Sequence, residues 1–264
     1  MQKAEKTAVV ILCGGQGTRL REHTESIPKP LVSIGDRPIL WHIMKHFQVH
    51  GLDRFVLCLG YKGDQIKRYF LDYRTMSRDL TMTMGKPECA VFYQPLNEED
   101  LEVTLADTGS DSMTGARVRR IARYLPDAPF IVTYGDGVSN VDLAALLRFH
   151  RSHGKLATVT ATYPESRFGV IETDADSRVM RFREKPKLDG LVSVGYFVFE
   201  RRVLDYLSAD ASCILEREPL ERLAHDGELM VFRHEGFFQP LDTYRDYLAL
   251  NALWSEERAP WKTW

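Results

Sequence analysis

Residues 12–19 read Leu12-Cys13-Gly14-Gly15-Gln16-Gly17-Thr18-Arg19, and Lys29 follows between Pro28 and Pro30. An apolar run, Ala8–Leu12, leads straight into this turn. Glycine has no Cβ and tolerates positive φ, so such a turn lets main-chain N–H groups close on phosphate oxygens. Arg19 adds a planar fork that matches phosphate, and Lys29 adds a point charge on a backbone that its two prolines should keep stiff and extended. Together they suit a polyphosphate. Two other phosphate loops fit less well: Leu20 stands where G-x-G-x-x-G needs its third glycine, and Gly-Lys-Ser/Thr is missing. Pro28 and Pro30 also forbid a regular helix directly after the turn, which disfavours an NAD-binding oxidoreductase.

A carboxylate complements these cations. Asp136 lies between Gly135 and Gly137 at the end of the apolar run Phe130–Tyr134, where nothing bulky shields it. That placement suits a hard divalent cation, with Mg²⁺ expected because it keeps waters and takes few protein ligands. A plain turn aspartate is the alternative. Asp242 reads, on its neighbours alone, equally well as the N-cap of a final helix.

Gly14-Gly15-Gln16-Gly17-Thr18-Arg19 followed by Pro28-Lys29-Pro30 resembles the signature of the sugar-1-phosphate nucleotidylyltransferases. Trp41-His42-Ile43-Met44, Gly60-Tyr61-Lys62-Gly63, Asp107-Thr108-Gly109, Ser112-Met113-Thr114-Gly115, Thr133-Tyr134-Gly135-Asp136-Gly137 and the tail Ala259–Trp264 look like one branch, the glucose-1-phosphate cytidylyltransferases. The resemblance runs from about Ala8 to the last residue. It implies transfer of a cytidylyl group from CTP to a sugar 1-phosphate, α-D-glucose 1-phosphate, giving CDP-glucose and pyrophosphate. Use of dTTP, UTP or another sugar phosphate is the alternative within the class. A regulatory subunit that binds nucleotide sugars without turnover is the alternative outside it, disfavoured by retention of Arg19, Lys29, Asp136 and Asp242.

By the same resemblance, Leu12, Cys13, Gly14, Gly15, Gly17, Thr18, Arg19, Lys29, Ser112, Arg117 and Gly135 bind the nucleotide, and Arg19, Lys29 and Asp136 are catalytic. Asp136 and Asp242 hold Mg²⁺. Gly169, Glu184, Lys185, Ser193 and Gly195 bind the sugar phosphate. One departure stands out: glucose-using relatives tend to carry Asn-Gly-Gly where this chain has Ser193-Val194-Gly195, which puts the sugar in question. Relatives assemble as oligomers, so a homo-oligomer is expected; Phe237, Phe238, Trp254, Trp261 and Trp264 suit an interface or a core equally.

Strand and helix patterns alternate through the first 160 or so residues, implying β-α-β units on a mainly parallel sheet, with ligands outside the carboxyl ends of its strands. Strands are expected at Ala8–Leu12, Phe55–Leu59, Val91–Tyr93, Phe130–Tyr134 and Ala157–Ala161. Helices are expected around Ile39–Phe47, after a cap at Asp64, over Gly115–Tyr124 and over Leu143–His153. Shorter strands follow (Gly169–Thr173, Val179–Arg183, Val194–Phe199), then helical stretches, a strand at Leu229–Phe232 and a last helix capped at Asp242. The polar segment Asn97–Ser112 reads as a loop or lid. The expected fold is α/β: a Rossmann-like, mainly parallel sheet flanked by helices, with a smaller mixed β sugar-binding part. One domain spans 7–254, its nucleotide-binding part at about 7–163 and its sugar-binding part at about 164–241, with a C-terminal helix and tail at 242–264.

At 264 residues and 44% apolar content the chain can bury a core without disulfides. A net charge of −2 offers no basic field for nucleic acid, so phosphate binding must be local. Cys13, Cys58, Cys89 and Cys213 form no C-x-x-C pair, and buried thiols in a reducing cytoplasm are expected. No signal core or membrane span is read.

Overall fold

The computed structural model describes residues 7–20, 25–93, 101–164, 168–186 and 190–264; for Arg19 and residues 86–89 it describes the backbone alone. A seven-stranded sheet is the frame. Its strands are β1 (Ala8–Leu12), β2 (Arg54–Leu59), β3 (Glu102–Asp107), β4 (Phe130–Tyr134), β5 (Ala157–Thr162), β6 (Val192–Phe199) and β7 (Leu229–Arg233). They lie in the order β7-β5-β6-β4-β1-β2-β3. β6 runs antiparallel to both neighbours, and every other adjacent pair is parallel.

Among the described residues six α-helices flank it: α1 (Ile39–Gln48), α2 (Gly63–Met76), α3 (Thr114–Arg120), α4 (Leu143–His153), α5 (Glu218–His225) and α6 (Tyr244–Ser255). Both sheet faces are covered, which is why β1 is apolar throughout instead of alternating. Val9 and Ile11 face Ile39, Ile43 and Phe47 of α1, Leu143 of α4 and Leu250 of α6. Val10 and Leu12 face Val118 of α3 and Leu223 of α5. Trp261 is buried in the first of these cores, stacked on Phe237 and Trp254. The C-terminal tail is thereby part of the core.

Several local expectations are corrected. The supposed loop Asn97–Ser112 contains β3, which pairs in register with β2 from Arg54↔Glu102 to Leu59↔Asp107; its residues 97–100 lie outside the described residues. Charged ends and a half-buried face make this edge strand look polar. The strand expected at Val91–Tyr93 is the end of Lys86–Phe92, which pairs with Leu80–Thr83 in a hairpin apart from the main sheet. The helix expected over Gly115–Tyr124 is α3 plus a 3₁₀ turn, Ala122–Tyr124. Asp64 does not cap α2; Lys62 takes that position at φ 52°, with Asp64 in the first turn.

Candidate active site

The chain passes from β1 to β2 and β3 on one side of the sheet, then returns as β4 on the other side of β1. Where strand order reverses in this way, a crevice opens outside the carboxyl ends of the two strands. The Gly135 N–H donates to the Leu12 carbonyl at 3.0 Å, pinning the two strand ends together. The glycine turn and Asp136 therefore emerge side by side. Beyond Asp136, Gly137–Ser139 pairs antiparallel with Phe238–Pro240, and the Leu241 N–H donates to the Asp136 carbonyl at 2.8 Å. This short ribbon brings Asp242 beside Asp136 from 106 residues further along the chain.

Asp242 is not the helix cap. Thr243 caps α6: its hydroxyl accepts from the Asp246 N–H at 3.3 Å, and the Asp246 carboxylate accepts from the Thr243 N–H at 2.8 Å. With the cap filled by its neighbour, the Asp242 carboxylate turns to Lys29. The Lys29 ammonium donates to Asp136 Oδ2 and to Asp242 Oδ1, each at 2.7 Å. The Lys29 side chain is 8% exposed and that of Asp136 31%, so the ammonium is shielded while the Asp136 carboxylate stays open to the crevice. The backbone differs from the expected extended form: Lys29–Leu31 is a 3₁₀ turn, with the Val32 N–H donating to the Lys29 carbonyl at 3.1 Å. Proline is tolerated there because the first N–H groups of such a turn have no partner within it.

Two carboxylates converging on one ammonium can equally converge on one small cation. Both donors are oxygen, which selects hard ions over soft ones. Among the described residues, no three or more His, Cys, Asp or Glu side chains are placed to hold one metal ion together. A pair of carboxylates suits an ion that keeps waters and takes its remaining ligands from substrate phosphates.

Two cavities meet at this triad. The first, of about 280 Å³, is lined by Leu12, Cys13, Gly14, Gly15, Gly17, Thr18, Lys29, Pro30, Ser112, Met113, Thr114, Arg117, Tyr134, Gly135 and Asp136. It gathers every residue expected to bind the nucleotide except Arg19, whose backbone lies in the 3₁₀ turn Thr18–Leu20 and whose side chain lies outside the described residues. The second, of about 400 Å³, includes Asp136, Ser193, Val194, Gly195, Glu216 and Asp242. Tyr134 and Asp136 line both. Gly169, Glu184 and Lys185 line neither. They flank the hairpin Val170–Thr173 with Val179–Arg183, which is largely exposed.

Arg117 is the most heavily bonded side chain at the site. Nη1 donates to the Leu59 carbonyl (3.0 Å), Thr108 Oγ1 (2.8 Å) and the Gly109 carbonyl (2.8 Å). Nη2 donates to the carbonyls of Gly14 (3.0 Å) and Ser110 (3.2 Å). A Cβ on Gly14 would lie 2.2 Å from Nη1, and one on Gly60 2.4 Å from it. Both glycines are needed to admit the guanidinium, which rivets the glycine-turn backbone to the end of β2. Ser112 donates to the Thr108 carbonyl at 2.6 Å and extends this network.

The two buried thiols nearest the glycine turn are poor nucleophiles. Burial pushes the Cys58 thiol up to about 12 and raises Cys13 well above its usual value, so neither is a thiolate at neutral pH. Burial, followed by the neighbouring Glu216 charge, also raises the Tyr134 phenol, which stays protonated and donates to Glu216 Oε1. Thr114 Oγ1 donates to the other Glu216 oxygen at 2.6 Å. Tyr134 and Thr114 lie inside motifs visible in the sequence; Glu216, in Leu215-Glu216-Arg217, carries no such signal.

The Nucleotidyl transferase family profile matches residues 8–230. The chain is 49% identical over 257 residues to the glucose-1-phosphate cytidylyltransferase of Salmonella typhi, covering 97% of this chain and 98% of that one. Among solved structures, a UDP-glucose pyrophosphorylase complexed with UDP-glucose superposes with a TM-score of 0.68 at 14% identity, over 96% of this chain and 100% of that one. HddC from Yersinia pseudotuberculosis gives 0.65 at 22% identity, over 94% and 99%. At such identities these two likenesses speak to the fold alone: a sheet and crevice of the same kind. The profile match spans most of the sequence and includes the glycine turn, Lys29 and Asp136, so the chain belongs to the nucleotidyl transferase family.

Proposed function

We propose that this enzyme transfers the cytidylyl group of CTP to α-D-glucose 1-phosphate, forming CDP-glucose and releasing pyrophosphate. The choice of base and sugar rests on the near full-length similarity to the Salmonella typhi cytidylyltransferase. The observation that carries the reaction type is the Lys29–Asp136–Asp242 triad at the shared edge of two cavities, one floored by glycine amides.

In this reaction a phosphate oxygen of the sugar phosphate attacks the α-phosphorus, and the bond from that phosphorus to the β-phosphate oxygen breaks. The nucleophile is already an anion, so the site needs no strong base. It needs charge neutralisation and in-line placement. The glycine turn holds the triphosphate with its main-chain N–H groups, and Arg19 neutralises the departing pyrophosphate. Lys29 stands where the α-phosphate and the incoming phosphate must meet. Its ammonium offsets charge on both. Asp136 and Asp242 would hold Mg²⁺, which when bound supplies further neutralisation at the phosphate oxygens. Ser112 and Arg117 bound the nucleotide cavity, Arg117 by fixing the loop. Ser193 and Gly195 shape the sugar side, and Gly169, Glu184 and Lys185 are proposed to reach it from the hairpin.

Free buried Cys13 and Cys58 fit a reducing compartment, so a cytoplasmic enzyme is proposed. Among the described residues no helix is long and apolar enough to cross a membrane. A homo-oligomer is part of the same proposal, since Phe168, Met180 and Phe182 leave apolar surface exposed on the hairpin. Sedimentation would measure it. The decisive assay offers the purified protein CTP, UTP, dTTP, ATP and GTP in turn, each with glucose 1-phosphate and Mg²⁺, and records pyrophosphate. Release with CTP alone is expected; release only with another nucleotide, or with none, refutes the assignment.

A further inference from the structure

We infer that Glu216 is a specificity-determining residue of the sugar side, its carboxylate accepting a hydrogen bond from a hydroxyl of the sugar ring. The inference rests on the proposed transfer to a sugar phosphate. It starts from the charge pattern of the second cavity. Three carboxylates, Asp136, Asp242 and Glu216, line it, and among the described residues no lysine or arginine does. Lys29 offsets Asp136 and Asp242, so the uncompensated negative charge of this wall lies at Glu216, and a phosphate is disfavoured there. The Lys29 ammonium, which lines the first cavity and bonds both aspartates, marks where the phosphate end belongs. The uncharged polyol end is then left facing Glu216.

The three carboxylates are not equivalent. Asp136 and Asp242 accept from Lys29. Glu216 pairs with no cation among the described residues, and its partners there are two hydroxyls, Tyr134 OH on Oε1 and Thr114 Oγ1 on Oε2. Those two bonds fix both carboxylate oxygens in place. Each oxygen keeps a second lone pair, and the side chain is exposed to the cavity. A held, charged acceptor in the same cavity as Ser193 and Val194 is what a ring hydroxyl requires of a specific site. Ser193, whose Oγ accepts from the Gly195 N–H at 3.1 Å, offers the sugar a neutral hydroxyl only, the weaker acceptor of the two.

The test compares 2-, 3-, 4- and 6-deoxy-α-D-glucose 1-phosphate with the parent sugar phosphate, using CTP, in the wild type and in Glu216→Gln. A hydrogen bond to a charged acceptor predicts that the wild type loses about tenfold or more in kcat/KM with one of the deoxy compounds. Glu216→Gln should shrink that ratio toward unity at the same position, with KM for CTP little changed. Equal ratios in both proteins at every position overturn the inference. A purely bracing role predicts a uniform loss for all sugars, matched by Tyr134→Phe, and would also overturn it. Glu216→Asp, which keeps the charge and withdraws it by one methylene, should lose the same discrimination and serves if the glutamine variant folds poorly by circular dichroism. Wild-type protein inactive with CTP and glucose 1-phosphate would remove the proposed function and this inference together; an active wild type with unchanged ratios removes the inference alone.

Discussion

Replacing Arg117 by lysine keeps the positive charge and removes the fork, so it isolates what the guanidinium geometry contributes. Arg117 is 4% exposed and donates five hydrogen bonds, four of them to the carbonyls of Leu59, Gly109, Gly14 and Ser110. A single ammonium with three protons cannot span acceptors divided between Nη1 and Nη2. The Leu59 carbonyl keeps the Thr108 N–H (2.9 Å) and hydroxyl (2.6 Å), and the Gly14 carbonyl keeps the Tyr61 N–H (3.2 Å), so the acceptors left short are the partly buried carbonyls of Gly109 and Ser110. An unpaired buried acceptor costs about 1–3 kcal/mol, and with both of these partly open to water Arg117→Lys should lose roughly 1–3 kcal/mol in all. Gly14→Ala supplies an independent check. A methyl there would sit 2.2 Å from Nη1 and 2.3 Å from Cζ, so the variant must displace the guanidinium or the loop. Once Arg117→Ala has emptied that space the same methyl should cost little, and the two substitutions should be strongly non-additive. Urea unfolding followed by tryptophan fluorescence measures both, and calorimetric CTP titration reports whether the loop still binds. A Gly14→Ala penalty equal in both backgrounds, or an Arg117→Lys variant within about 0.5 kcal/mol of the parent, would refute the rivet.

Asp136→Asn should lower kcat by about two decades or more with the fold intact, because an amide holds a divalent cation far more weakly than a carboxylate does and the cation would neutralise the phosphate oxygens; near-normal turnover would take Asp136 out of the site. Gly195→Ala forces a Cβ at φ +77° to within 2.5 Å of the Tyr134 ring, so KM for the sugar phosphate should rise by about tenfold or more while KM for CTP moves less. An unchanged KM would show that this segment does not line the sugar pocket. His46 bonds the Val141 carbonyl through Nε2 at 3.0 Å and Thr263 through Nδ1 at 3.3 Å, and burial lowers it to about 4. The unfolded chain takes up this proton near pH 6.5 and the folded chain only near 4. His46 therefore contributes stability above pH 6.5 that is lost as pH falls toward 4, at up to about 1.4 kcal/mol per pH unit. Urea midpoints from pH 7 to 4.5 in the wild type and His46→Gln test this, and parallel pH profiles would refute it.

Nearly continuous apolar runs made β1, most of β2 and β4 legible, since a strand buried on both faces has few polar interruptions, and β5 was legible from its alternation of small or branched apolar residues with β-branched threonine. β3 was hidden for the opposite reason. As an edge strand it shows charge at Glu102 and Asp107 and buries Val103 and Leu105 only partly, so its pattern is that of a polar loop. Asp242 shows a different limit. Asp-Thr before a helix admits either residue as cap, and only the capping box between Thr243 and Asp246 decides it. The glycine turn was legible because its chemistry is local. Glu216 was not, because its importance comes from partners 82 and 102 residues away.

The position of the site follows from topology more than from any one motif. Val9–Leu12 pairs with Ile131–Tyr134 in parallel register, so the residues after Leu12 and after Tyr134 must leave the sheet at the same height. Three glycines on one exit keep the backbone low and its amides open; Gly135 on the other lets β4 close to within a hydrogen bond of the Leu12 carbonyl. A Cβ at Gly135 would stand 3.0 Å from Cys13 Sγ and 3.2 Å from the Leu12 carbonyl oxygen, prising apart the two exits that carry opposite charges. The ribbon formed by Gly137–Ser139 and Phe238–Pro240 then sets the second carboxylate, and Lys29 holds both from the side of the glycine turn. Cation and carboxylates thus face each other across the junction of two cavities. Attack from one cavity on a phosphorus held in the other is the reaction which that arrangement favours.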